Sequence, residues 1–181
     1  MSALNPFAPF RCLLVGWNAI MTTDNNSVRQ FLRHTLATLA YRGGKALRGA
    51  PESFAAFDPG QSGKTAVQIV AHMGDLFDWA LTMVKGKQEW RDSTPLPWAQ
   101  EVERFFNTLK TFDDYLASDA PLAVPEAKLF QGPIADALTH VGQLAMLRRL
   151  AGCPIKTENY ARAAVVAGKV GMEQTPPTKE F

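Results

Sequence analysis

An all-α fold, a four-helix bundle with one crossover connection and a short C-terminal helix, is what this sequence predicts. Four segments repeat apolar residues at helical spacing, and no segment alternates with the two-residue period of a strand. Gly, Pro or capping residues punctuate each segment, and four helices with one apolar face each bury those faces best against one another. At 181 residues the chain is long enough for one domain with a proper core.

The first periodic segment spans residues 27 to 48. Val28, Phe31, Leu32, Thr35, Leu36 and Leu39 form its apolar face, with Asn25, Asn26 or Ser27 as N-cap. Gly43 and Gly44 weaken its end, and "GAPESFAAFDPGQSG" reads as a loop. The second helix is expected over residues 64 to 85, with Thr65, Ile69, His72, Leu76, Trp79 and Met83 in line. "STPLP" breaks the chain before a third helix over residues 98 to 117. Its stripe of Trp98, Val102, Phe105, Leu109, Phe112 and Leu116 is the clearest in the sequence. "QGP" then launches the fourth helix, with Gly132 as cap and Pro133 in the first turn, and Gly152 and Pro154 end it. A short helix over residues 158 to 167 follows. The expected organisation is a poorly packed N-terminal extension (1–22), the bundle (23–168) and a C-terminal tail (169–181).

Composition narrows the function classes. Hydrophobic content of 46% and charged content of 20% fit an ordinary globular protein. A formal charge of +2, with no basic helix face, argues against nucleic acid as a partner. "RCLLVGWNAIM" is too short to span a bilayer, so no membrane partner is expected. Cys12 and Cys153 match no metal or redox spacing, and a reducing cytoplasm is the expected setting. "GQSGKT" resembles part of a phosphate-binding loop, but Asp58 stands where that motif needs glycine and no strand precedes it.

Chemistry concentrates in "DALTHVGQLAMLRRLAG", residues 136 to 152. Four residues advance a helix by 400°, so Asp136 and His140 sit only ~40° apart around the axis. Gln143 continues their stripe, which runs on into Leu147 and Leu150; Arg148 and Arg149 point the other way. His72 sits in mid-stripe on the second helix. Two imidazoles and a carboxylate are sound ligands for a divalent transition metal with an open position. The competing reading is a buried Asp–His hydrogen-bonded pair, because a buried aspartate needs a partner. Asp75, one turn after His72, is a candidate to hydrogen-bond a ligand from behind, or else a surface carboxylate, and Gln143 is a candidate to orient a metal-bound water. His34 falls off the apolar face and is expected in solvent. Asn159 and Tyr160 follow the last long helix and could fold back over the site.

"AVQIVAHMGDLFDWAL" on the second helix and "DALTHVGQLAMLRRLAG" on the fourth resemble the DinB superfamily of helical bundles over residues 25 to 167. That resemblance implies a divalent metal held by one histidine of the second helix and a pair on the fourth. His72 matches the lone histidine, His140 the second member of the pair, and Asp136 stands where the family has the first. Thr139 and Val141 replace a further histidine and arginine common in relatives. The implied cofactor is zinc, nickel, iron or manganese. The implied function is small-molecule chemistry: thiol-linked transfer or isomerisation using a low-molecular-weight thiol, or hydrolysis, in a homodimer. The alternative is a catalytically silent bundle that binds a small ligand or protein partner, with His72, Asp136 and His140 as a buried polar network.

Overall fold

The computed structural model describes residues 25–60 and 63–181. The expected extension over residues 1–22 lies outside them. The helices are α1 (Asn25–Leu47), α2 (Ala66–Val84), α3 (Trp98–Ala117), α4 (Glu126–Leu129) and α5 (Ala135–Leu150), with a π-helical turn (Phe130–Ile134) joining the last two. Among the described residues there is no strand, and only an isolated backbone bridge pairs Glu158 with Glu180. The fold is all-helical.

Each long helix forms where its apolar face meets the others. α1 packs against α3 and α5, and α2 packs against the same two. Phe77 of α2 lies 6.2 Å from Phe105 and 6.0 Å from Phe112 of α3, ring centre to ring centre. Leu36 and Leu39 of α1 and Ala137 and Leu144 of α5 close the same core. The stripe read on α3 is buried from Val102 to Leu116, with Trp98 half-buried at its start. Two expected core positions are not core. Phe31 is 64% exposed and Leu150 60% exposed, because each lies at the edge of its helix face, away from the core the described residues form.

Thr65 caps α2 through a reciprocal pair. The Gln68 amide donates to Thr65 Oγ1 at 3.4 Å, and the Thr65 amide donates to Gln68 Oε1 at 2.8 Å. The α2–α3 contact is built around Arg104. Its Nη1 donates to Asp75 Oδ1 at 3.0 Å, its Nε to Glu101 Oε1 at 2.6 Å and its Nη2 to the Ala71 carbonyl at 2.7 Å. The guanidinium fits because residue 74 is glycine: a Cβ there would meet Arg104 Cζ at 2.8 Å.

The last long helix starts earlier than the sequence suggests. Gly132 is not its cap and Pro133 is not in its first turn. α4 begins after Pro125, and Pro133 sits inside the π turn. A proline has no N–H to donate and its ring clashes with the preceding turn. The wider π turn absorbs both defects, with the Ala135 amide reaching back to the Phe130 carbonyl.

The C-terminal region differs most from expectation. The predicted helix over residues 158–167 is a single 3-10 turn, Tyr160–Arg162, which Asn159 caps. The segment over 169–181 folds back onto α1. Lys45 Nζ donates to Glu158 Oε2 at 2.6 Å and to Glu180 Oε1 at 2.8 Å, and Tyr41 Oη donates to Glu158 Oε1 at 2.6 Å. Arg148 is also internal. Its Nε donates to the Cys153 carbonyl at 2.7 Å and its Nη1 to the Ala46 carbonyl at 3.4 Å, at the C-terminal end of α1.

The Glu158 side chain is fully buried, so Glu158→Ala leaves an ammonium and a phenol short of an acceptor in the interior. Breaking a buried pair from one side costs about 3 kcal/mol. Urea denaturation is expected to show a loss of that size for Glu158→Ala, and a clearly smaller one for Glu180→Ala, whose carboxylate faces solvent.

Candidate metal centre

Three side chains from two helices converge above the α2–α5 contact. His72 Nε2 lies 3.5 Å from Asp136 Oδ2, and His140 Nε2 lies 3.3 Å from Asp136 Oδ1. The two imidazoles meet edge to face at 4.8 Å. One ligand atom from each residue falls within 4.8 Å of the others, and the group can hold a metal ion. The sequence reading brought these three together, and they are together.

The spacing itself bears on what the group holds. A charge-assisted hydrogen bond between nitrogen and carboxylate is about 2.7–2.9 Å long. The separations of 3.3 and 3.5 Å are longer than that and run to different oxygens of Asp136, so the carboxylate stands between the two rings with one oxygen toward each.

The protonation pattern agrees. Burial first, then the positive charge of Lys64 and the neighbouring His140 ring, push the His72 pKa below the ordinary imidazole value; Asp136 opposes them only in part. Near neutral pH His72 is therefore a neutral imidazole, the form a metal takes. Gln143 Oε1 stands 2.7 Å from His140 Nδ1. An amide oxygen only accepts, so Nδ1 donates to it and Nε2 is the ring atom that faces Asp136. Gln143 thus holds the His140 ring from behind, where the sequence suggested an action on bound water.

Asp136 corrects the premise on which the sequence reading leaned. Its side chain is 46% exposed, against 19% for His72 and 12% for His140. The carboxylate faces solvent and needs no buried counter-charge to be tolerated. The case for a metal rests on the convergence of the three donors.

Asp75 is neither of the two things expected of it. It is buried, its Oδ1 accepts from Arg104 and its Oδ2 accepts from the Ser93 amide at 3.0 Å. It braces the loop between α2 and α3. That loop carries Trp90, whose ring meets His72 at 5.5 Å and Trp79 at 5.8 Å. Sequence reasoning missed Trp90 because a lone aromatic in a polar, Pro-rich loop has no periodicity to mark it. Tyr160 lies away from the centre, against Tyr41 at 6.3 Å and beneath Arg42 at 4.3 Å. His34 is exposed, as its place off the apolar face implied.

Two depressions flank the histidines. One, of about 390 Å³, is polar and is lined by His72, Lys64, Gln68, Asp75, Asp92 and Ser93 among others. The other, of about 420 Å³, is mostly apolar and brings Ile69, Met146 and Leu147 beside His140. Lys64 belongs to both walls. Among the described residues no helix is long and apolar enough to cross a membrane.

No family model, no curated protein and no solved structure matches this chain.

Two outcomes follow from this geometry. Gln143→Met removes the acceptor behind His140 and is expected to weaken metal affinity about tenfold, as loss of such support commonly does. Asp75→Asn is expected to lower the urea midpoint while leaving metal affinity within about twofold, since Asp75 serves Arg104 and Ser93. Metal titration and denaturation of the two variants separate the roles.

The lowered His72 pKa also sets a pH response. In the unfolded chain His72 titrates near about 6.5. As pH falls the unfolded state binds that proton first, so native stability is unaffected above about 6.5, drops through that value and levels off below the native one. In chelator, the melting temperature of the wild-type protein is expected to fall further between pH 7 and pH 5 than that of His72→Gln.

Proposed function

We propose that this chain is a metal-dependent enzyme acting on small molecules, built on a four-helix bundle with crossing connections and belonging with the DinB superfamily. The observation that carries the reading is the convergence of two imidazole nitrogens and one carboxylate from α2 and α5 at a solvent-reachable point. The bundle assignment draws support from the packing of α1 and α2 on the same two helices, α3 and α5. Helices that share both partners lie diagonally, so in this reading the α1–α2 connection crosses the bundle and, by the same test, so does the connection from α3 to α5, one more than the sequence leads one to expect.

His72, Asp136 and His140 are the ligands in this reading. One carboxylate beside two imidazoles suits zinc, nickel, iron or manganese. Bound there, such an ion supplies a Lewis acid and brings a ligated water or thiol toward ionisation near neutral pH. The protein's own groups do the rest. Gln143 holds the His140 ring and its tautomer, and Trp90 walls one side of His72 against bulk water. Lys64 places a positive charge beside the centre, favouring anionic substrates and developing negative charge. Thiol-linked transfer or isomerisation and hydrolysis are the reaction classes that use an open metal position in this way.

The rival reading, a catalytically silent bundle with a buried polar network, needs those three residues buried. The 46% exposure of Asp136 speaks against it.

Metal analysis of the purified protein is the deciding experiment. About one divalent ion per chain is expected, with sharp loss in His72→Ala, Asp136→Ala and His140→Ala and retention in Asp136→His. Free metal at one hundred times its Kd is expected to add about 2.7 kcal/mol of stability, which a chelator removes. A wild-type protein that takes up none of manganese, iron, nickel or zinc ends the proposal.

A further inference from the structure

The two depressions that flank the histidines differ in chemistry, and the difference selects what each can receive. On the His72 side, Asp75, Asp92 and Ser93 line the wall. On the His140 side no acidic side chain among the described residues lines the wall; Pro59, Ile69, Met146 and Leu147 form a trough of about 420 Å³. Met146 is a large apolar side chain, 52% exposed at its rim. Lys64 stands where the two depressions meet, exposed, and makes no ion pair among the described residues. Of the nearby acids, Asp75 is bonded to Arg104 and Ser93, Asp136 faces the two imidazoles, and Asp92, exposed in the same polar wall, makes no ion pair with Lys64.

An apolar trough, one uncommitted cation at its mouth and a polar reactive centre at its inner end make a site with three distinct stations. Apolar groups gain by leaving water for the trough. An anion gains most where a cation has no competing partner. We infer that the substrate of this site is a small amphiphilic anion, its apolar body along Ile69, Met146 and Leu147, its negative group on Lys64 and its reacting group toward His140. The polar depression beside His72 is then the side from which water reaches the centre. The inference rests on the proposed metal-dependent function for its reacting end, whereas the trough and Lys64 are properties of the protein alone.

That separation defines the test. Alkyl sulfonates are anionic amphiphiles that ligate metals poorly, so they read the trough and Lys64 without the metal. Butane-, hexane- and octanesulfonate, each below its micelle concentration, are titrated into the full-length protein with and without chelator. Methyl NMR of Ile69 and Met146 follows the site, and calorimetry gives the affinity. Affinity is expected to rise by up to roughly fourfold per added methylene. Lys64→Gln is expected to weaken the whole series by roughly fivefold at low salt. Met146→Ser, at an exposed position that leaves the fold intact, is expected to flatten the dependence on chain length. His72→Ala, which abolishes the metal site, is expected to keep that dependence, so failure of the metal reading and failure of this one give different results. Equal affinity across the series, no effect of Lys64→Gln, or sulfonate shifts away from Ile69 and Met146 would each overturn the inference. So would sedimentation showing that a second copy of the chain covers the trough and is released by Met146→Ser.

Discussion

A guanidinium crossing the contact between two helices is the constraint on which the site depends. Arg104 can lie flat against α2 only because Gly74 offers no Cβ. From there it gathers Asp75, Glu101 and the Ala71 carbonyl. The free oxygens of the two acids then hold the following loop: Asp75 accepts from the Ser93 amide and Glu101 from the Leu96 amide at 2.7 Å. A buried charge is tolerated when every polar atom around it has a partner, and here the partners extend into a loop with no regular structure of its own. That loop seats Trp90 against His72. The shape of the centre on its α2 side therefore traces back to one glycine and one arginine, neither of which touches it.

The register of α5 supplies the other side. Asp136 and His140 stand one helical turn apart, as their spacing in the sequence requires, but they follow directly on a π turn. That turn inserts an extra residue into the helical repeat just before Asp136 and rotates everything upstream relative to the donors. A regular helix from Glu126 onward would present a different face of α4 to the core, and Leu129, fully buried, would lose its place.

The parts of this arrangement that the sequence reveals are those governed by periodicity. α3 runs from Trp98 to Ala117 as its stripe implies, and the three donors fall together because helical spacing fixes two of them and the apolar line of α2 points the third inward. What escapes is governed by partners remote in sequence. Asp75 looks like either a surface group or a support for His72 until Arg104, 29 residues on, is seen to claim it. Arg148 reads as a solvent-facing charge, yet carbonyls about 100 residues earlier take it inside. "QGP" reads as a helix start because glycine and proline usually break helices, and only the π turn reconciles Pro133 with a continuing one. Burial is the least legible quantity: the aspartate that seemed to demand a metal by being inside is half outside.

The clasp of Tyr41 and Lys45 on Glu158 and Glu180 joins residues 117 and 135 positions apart. Closing so long a loop costs entropy that only contacts already formed can offset, so such pairings fall late in folding, after the helices have packed. Interactions made after the transition state leave the rate of folding almost untouched and act on the rate of unfolding. The clasp therefore governs the lifetime of the folded chain rather than its formation. It holds the segment beyond α5 against α1 for as long as Lys45 keeps its two carboxylates.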